Sequence, residues 1–432
     1  MKTKTAWIIL VVLAFCLADC SGPIGTTQPE PTVENRRESD MERDTVADVS
    51  ADASEQLVQG NERFAFDLYK SLQSTEGNLF FSPYSISLAL AMTYAGAEGD
   101  TAQQMAEVMH FSLPQADLHP AFNMLDLELA SRGEGAQGRD GEGFRLHVVN
   151  ALWGQQGYSY LTGFLDSLSR NYGAGMNFVD YAGDSEAARQ EINAWVEGQT
   201  EDRIQELIGK GLLDELTRLV LTNAVYFNAA WMSPFDSGNT VDGGFNLLDN
   251  TQVPVPMMQQ VADFRYAAKD GWQAVELPYI GGELSMLILL PDGDQLEQFE
   301  ASLYPDVFED MISRLSIRNI ALKIPVFETS SAFSLSQTLQ QMGMTDAFTE
   351  DADFSGMDGT RELFISAVLH KAFISVDESG TEAAAATAVV MSLKAVMDPP
   401  LEVSVDRPFL FLIRDNPTGT ILFMGRILDP TG

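Results

Sequence analysis

Residues 377–402 read DESGTEAAAATAVVMSLKAVMDPPLE. They follow a run that alternates like a strand, Ala372 to Val376, and they end at Pro399-Pro400. A connection of this length is unusual inside a compact domain, where long uncapped segments tend to be functional. Its local preferences conflict. Ala383 to Ala386 favour helix, whereas Thr387, Val389 and Val390 favour strand. Read as a strand, one face carries Thr381, Ala383, Ala385, Thr387, Val389 and Met391, all small or apolar and uncharged. The other face carries Glu382, Ala384, Ala386, Ala388, Val390 and Ser392. The segment can therefore serve as a central strand if a sheet opens to receive it. About a dozen ladder hydrogen bonds at roughly 1 kcal/mol net each, with apolar burial added, make such insertion downhill. Composition alone leaves a surface helix followed by a loop as the other reading.

The chain around this segment has 432 residues, 45% of them apolar, enough for one large domain or two ordinary ones. Its 26 basic and 62 acidic residues give a net charge of −36. Such a chain repels nucleic acid and anionic headgroups, so neither is an expected partner. Cys16 and Cys20 are the only cysteines, which leaves no disulfide frame or thiolate site in the main body. The histidines, His110, His119, His147 and His370, show no i, i+4 pair, so no metal is expected.

Lys2 and Lys4 precede the apolar run Ile8 to Ala18, the form of a signal peptide over residues 1–19. Leu17-Ala18-Asp19-Cys20 resembles a lipobox, which implies a lipid anchor on Cys20, although Asp19 departs from the small residue usual there. Export, with secretion or lipid anchoring at the cell envelope, is the expected localisation. Residues 20–54 are polar and acidic and read as a disordered tether. Helical spacing of Leu57, Phe64, Leu68 and Leu72 places the start of order near Glu55. Tyr84 to Ala95 reads as a buried helix, Asp100 to Met109 as a helix capped by Asp100, and Glu186 to Ile208 as helical. Gly133, Gly135 and Gly138 match a nucleotide-loop spacing, but no apolar strand precedes them. Leu219 to Phe227, Ala274 to Leu277, Leu284 to Leu290, Ile320 to Phe327, Phe409 to Ile413 and Ile421 to Met424 alternate as strands. Helices first and strands later predict an α+β domain with mainly antiparallel sheets.

Several motifs, in order, resemble the serpin family. Glu378-x-Gly380-Thr381-Glu382-Ala383-Ala384-Ala385-Ala386-Thr387 resembles the hinge of the inhibitory members' reactive loop. Asn78-Leu-Phe-Phe-Ser82-Pro83-Tyr-Ser85 resembles the shutter region. Thr222-Asn223-Ala-Val-Tyr-Phe-Asn-Ala-Ala-Trp231 resembles the strand that carries the shutter asparagine and the breach tryptophan, and His370 falls where the family has its shutter histidine. Arg407-Pro408-Phe409 and Phe423-Met424-Gly425-Arg426 resemble the closing signature.

The resemblance, which runs over residues 55–432, implies a single α+β domain with a large, mainly antiparallel sheet, further sheets, surrounding helices and an exposed reactive loop over about 378–402, and it implies a non-enzymatic serine protease inhibitor. In that mechanism the protease attacks the loop and forms an acyl-enzyme. The freed hinge then inserts into the large sheet and carries the bound enzyme with it. Counting from the hinge places the cleaved bond at Lys394–Ala395, which suits a trypsin-like protease; a slip of one residue would expose Leu393 instead. A monomer is expected. No heparin-type cofactor is expected either, because Gln103, Gln104 and Glu107 stand where some members carry basic residues. The family commonly has a lysine at the position of Val326 that pairs with the hinge glutamate, here Glu378; Lys323 is the candidate substitute. Carrier or chaperone members usually have bulkier or charged hinges. A solute-binding lipoprotein stays open, and a hydrolase lacks its G-x-S-x-G elbow.

Overall fold

The computed structural model describes residues 36–46, 49–133, 145–293, 295–381 and 399–432. Two sheets organise them. The first has seven strands in the spatial order Arg36–Arg37, Met176–Val179, Arg145–Gln155, Leu219–Ala230, Gly380–Thr381, Ile365–Val376 and Phe327–Ser334. Most of its neighbours are antiparallel, but Arg145–Gln155 and Met176–Val179 run parallel, as do Leu219–Ala230 and Ile365–Val376 where they meet directly. The second sheet runs Leu401–Ser404, Ser316–Pro325, Gln252–Lys269, Trp272–Pro278, Leu284–Pro291, Phe409–Asp415, Ile421–Ile427 and Leu79–Phe81. Val241–Asn246 pairs off Gln252–Lys269.

Helix Pro83–Tyr94 lies between the sheets, and all its residues are buried. That explains its lack of an amphipathic stripe: it has no solvent face to keep polar. Ser82 caps it by accepting the Ser85 N–H at 3.1 Å, and Pro83 fills the first position, where no amide partner is needed. The far face of the first sheet is covered by helix Tyr181–Gln199, whose Ile192 and Val196 pack with Val149, Trp153, Val220 and Leu369. Helix Ala51–Leu72 packs against Pro83–Tyr94 and Gln115–Ala130 and closes the other side.

The helices and mixed sheets agree with the α+β expectation, and several boundaries move. The described residues already include 36–46, ahead of Glu55. Residues 36–46 contribute a two-residue edge strand and a set of polar bonds, and the first helix begins at Ala51, capped by Ser50. The polar composition that reads as a tether is held here by hydrogen bonds instead of apolar burial. Helix Gly99–Met109 starts after Glu98, so Asp100 lies in its first turn and is not its cap. The helix expected over 186–208 runs from Tyr181 to Gln199, and Thr200 then donates its hydroxyl back to the Val196 carbonyl at 2.9 Å. The strand expected from Ala372 reaches back to Ile365, and that before the hinge pairs along eight positions with Phe327–Ser334. The signal peptide, Cys16, Cys20 and most of the glycine-rich loop lie outside the described residues, as do Glu382, Ala383, Ala384, Ala385, Ala386, Thr387, Leu393, Lys394 and Ala395.

Candidate functional site

Leu219–Ala230 and Ile365–Val376 pair in parallel from Leu219/Ile365 up to Tyr226/Phe373. Beyond that point they part, and the chain turns back between them. Asp377 makes the turn. Its Oδ1 accepts the Ser379 and Gly380 amides at 2.7 and 3.2 Å, and its own amide donates to the Gly380 carbonyl at 2.9 Å. Burial pushes the Asp377 carboxyl above its usual range. Gly380 then pairs with Ala230, and Thr381 pairs with Ala229 on one side and Val376 on the other. The backbones come so close that a Cβ on Gly380 would sit 2.2 Å from the Ala229 carbonyl oxygen. Only glycine fits there.

Thr381 is fully buried, and its hydroxyl lies 2.8 Å from the Tyr279 hydroxyl. Tyr279 stacks on Trp231, with ring centres 4.6 Å apart and planes 9° from parallel. The Trp231 indole donates to the Asp377 carbonyl at 3.0 Å, and its amide donates to the Ser379 carbonyl at 2.9 Å. Trp231 thus fixes the returning chain by two bonds and supports, through Tyr279, the side chain it presents. Glu378 accepts from the Thr240 hydroxyl with its carboxylate, and from the Phe235 amide at 2.8 Å with its carbonyl. Lys323 is not its partner. It lies in the second sheet opposite Gln259 and Ser404 and makes no ion pair with Glu378 among the described residues.

Lower on the same strands, Asn223 and His370 stand directly opposite each other. Both are fully buried, as is Ser85, and Ser82 is nearly so. The Ser82 amide donates to His370 Nε2 at 3.3 Å, so the ring proton resides on Nδ1, which donates to Asn223 Oδ1. The Asn223 amide group donates to Ser85 Oγ and to Asn150 Oδ1. Asn150 Nδ2 donates to the Ser85 carbonyl at 3.2 Å, and Ser82 Oγ donates to the Leu422 carbonyl at 2.7 Å. Burial holds the His370 pKa down to about 3, which keeps the ring neutral. Phe333 lies parallel to it, 6.3 Å away.

The structure therefore brings Ser82, Ser85, Asn223 and His370 into one cluster, and Trp231, Glu378, Gly380 and Thr381 into another at the strand ends. Sequence reasoning missed Asn150, Tyr279 and Thr240. Asn150 lies 73 residues from Asn223 on a different strand, so no local spacing betrays it. Tyr279 had a weak signal, a tyrosine closing an apolar strand. Among the described residues no group of three or more His, Cys, Asp or Glu could hold a metal ion.

A family model described as serpin (serine protease inhibitor) matches residues 59–430. Leukocyte elastase inhibitor A of Rattus norvegicus is 40% identical over 388 residues, 87% of this chain and 100% of that protein. An uncharacterized serpin-like protein of Thermococcus kodakarensis is 40% identical over 435 residues, covering 99% of each chain. Among solved structures, uncleaved ovalbumin matches with a TM-score of 0.77 at 28% identity, over 87% of this chain and 100% of its own. Human thyroxine-binding globulin, complexed with thyroxine, matches with a TM-score of 0.79 at 31% identity, over 88% of this chain and 100% of its own.

Proposed function

The chain belongs to the serpin family, and we propose that it inhibits trypsin-like serine proteases as a suicide substrate, by drawing its cleaved loop into the first sheet. The observation that carries the reading is the position of Gly380 and Thr381. They already lie as a strand between Leu219–Ala230 and Ile365–Val376, with Thr381 buried. Carried on one residue at a time, the register with either neighbour sets residue 387 level with both Asn223 and His370. Thr387 brings a hydroxyl that can donate and accept where those two groups separate. Every residue between 381 and 387 is small or, at Glu382, on the opposite face. Nothing in that stretch opposes entry.

Lys394–Ala395 is the bond we assign to the protease, with Lys394 entering a carboxylate-ended specificity pocket. Incubation with trypsin should give an SDS-resistant adduct of about one-to-one stoichiometry and a released peptide that begins at Ala395. Clean cleavage with no adduct would overturn the inhibitory reading. Export rests on Lys2, Lys4 and the run Ile8 to Ala18, and anchoring rests on Cys20. Labelling with palmitate, lost in Cys20→Ser, tests the anchor.

One feature favours a second reading, carriage of a small amphipathic ligand. A cavity of about 480 Å³ opens between helices Ala51–Leu72, Gln115–Ala130 and Pro305–Arg314, lined by Leu57, Val58, Phe308 and Ile312. Glu62 and Arg414 form its polar end, and Glu62 Oε1 and Arg414 Nε have no hydrogen-bond partner among the described residues. Burial raises the Glu62 pKa to about 7. A fluorescent amphiphile that binds the parent but not Ile312→Arg would support carriage; equal binding by both would remove it.

A further inference from the structure

The segment 36–46 ties together two parts of the molecule that loop insertion must pull apart. Arg36 and Arg37 pair with Asn177 and Met176 at the outer edge of the first sheet, and the Arg37 guanidinium lies 5.6 Å from the centre of the Phe178 ring. The next residues fasten to helix Thr162–Tyr172. Ser39 donates to Asp166, Ser169 donates to the Met41 carbonyl, and the Asp44 amide donates to the Arg170 carbonyl at 2.9 Å. Arg43 then crosses to helix Gln115–Ala130. Its Nε donates to Asn123 Oδ1 at 2.8 Å and its Nη2 to Asp126 Oδ2 at 2.7 Å. Asn123 returns a bond to the Asp44 carbonyl at 2.6 Å. The other Asp126 oxygen accepts from the Tyr84 hydroxyl at 3.0 Å, and Tyr84 stands between Ser82 and Ser85 of the buried cluster.

Strand Met176–Val179 is bonded to Arg145–Gln155, which is bonded to Leu219–Ala230. Helix Thr162–Tyr172 is strung between the first two in sequence. All of these lie on the Leu219 side of the gap. Helix Gln115–Ala130 packs on Ala51–Leu72, which packs on Ile421–Ile427 of the second sheet, and also on Thr162–Tyr172, where His119 Nδ1 lies 2.6 Å from the Tyr172 hydroxyl, so it stands at the seam between the two sides. A strand admitted between Leu219–Ala230 and Ile365–Val376 displaces one side from the other by about 4.8 Å. Hydrogen bonds of 2.7 and 2.8 Å do not survive a shift of that size. The Arg43 side chain and its Asp126 partner are only about one-quarter exposed, so water screens the pair incompletely.

We propose that residues 36–46 act as a brake on sheet opening, and that the contact released is Arg43 with Asn123 and Asp126. The brake holds the intact chain in its loop-exposed form and slows insertion. This rests on the insertion reading given above. Intact full-length Arg43→Ala, held in mild denaturant below its melting temperature, should convert to the high-melting, loop-inserted form roughly tenfold faster than the parent, the factor equivalent to about 1.4 kcal/mol. The loop-cleaved forms of the two proteins should melt together, because the contact is already broken there. Arg43→Lys, which keeps the charge but not the two-pronged reach, should fall between them. Adding Asn123→Ala to Arg43→Ala, which also removes the bond to the Asp44 carbonyl, should speed the conversion further. Conversion at the parental rate would overturn the brake, and so would an equal loss of melting temperature in the intact and cleaved forms, which marks an ordinary structural contact. If the cleaved parent melts no higher than the intact parent, insertion itself fails and the brake with it.

Discussion

The same two strands, Leu219–Ala230 and Ile365–Val376, behave differently at their ends and in their middle. At the ends they are apart, and Gly380 and Thr381 fill the space with backbone bonds on both sides. The support there is an aromatic stack and one hydroxyl pair, Tyr279 with Thr381. In the middle they touch, and Asn223 and His370 bond directly inside a cluster that includes Ser82, Ser85 and Asn150. The ends are a doorway already entered. The middle is a lock whose groups are satisfied only while it is closed. A buried polar group left unpaired costs about 1–3 kcal/mol, so a strand passing the middle has to bring a replacement partner. The difference teaches where each kind of residue is required: small and uncharged at the doorway, hydroxyl-bearing at the lock.

The largest expected effect is at the doorway. Thr381→Arg places a charge in a fully buried site without a partner, at several kcal/mol. The variant should be cut at Lys394–Ala395 but form no adduct with trypsin, whereas Glu382→Arg, expected from strand alternation to face solvent after insertion, should retain most trapping. Equal adduct yield from Thr381→Arg and the parent would break the comparison at its strongest point.

Acid should weaken the middle and spare the ends. The folded-state pKa of His370 is about 3, against 6.5 for the free side chain. Between those values the unfolded chain binds a proton that the folded chain refuses. The stability His370 contributes above pH 6.5 is therefore lost as pH falls towards 3, by up to about 1.4 kcal/mol per pH unit. His119, held down to about 4 by burial, acts in the same direction. The melting temperature of the intact chain should drop across this range. His370→Gln should lose part of that slope, and Trp231→Phe, at the doorway, should keep all of it. Identical slopes in both variants would mean that the cluster does not set the response.

A smaller effect sharpens the register. Thr387→Val should leave the intact chain unchanged and destabilise the loop-cleaved form by about 1 kcal/mol, seen as a lower melting temperature. A loss in the intact form instead would place residue 387 elsewhere.

Part of this was legible in local composition, and part only through the resemblance. The apolar run from Tyr84 to Ala95 announces a buried helix, whereas the composition of the segment after Val376 also fits a surface helix, so Gly380 and Thr381 were singled out by the hinge motif. Asn223 and His370 could be singled out by motif, but their bond joins residues 147 apart and is visible only in three dimensions. Asn150 was hidden for the same reason. Residues 36–46 were misread because a polar, acidic stretch has no apolar face to signal order. Two backbone ladder positions and a handful of side-chain bonds hold it to the edge of a sheet built more than a hundred residues later. The resemblance implied a lysine partner for Glu378, and a neutral donor, Thr240, takes its carboxylate instead.

The claim on which the rest depends is that the intact chain is metastable and that cutting its loop completes the first sheet. The direct measurement is the melting temperature of the full-length protein before and after a single cleavage between residues 382 and 398. Completion of the sheet predicts a sharp rise after cleavage, together with loss of the ability to trap trypsin. Equal melting temperatures before and after the cut would contradict it.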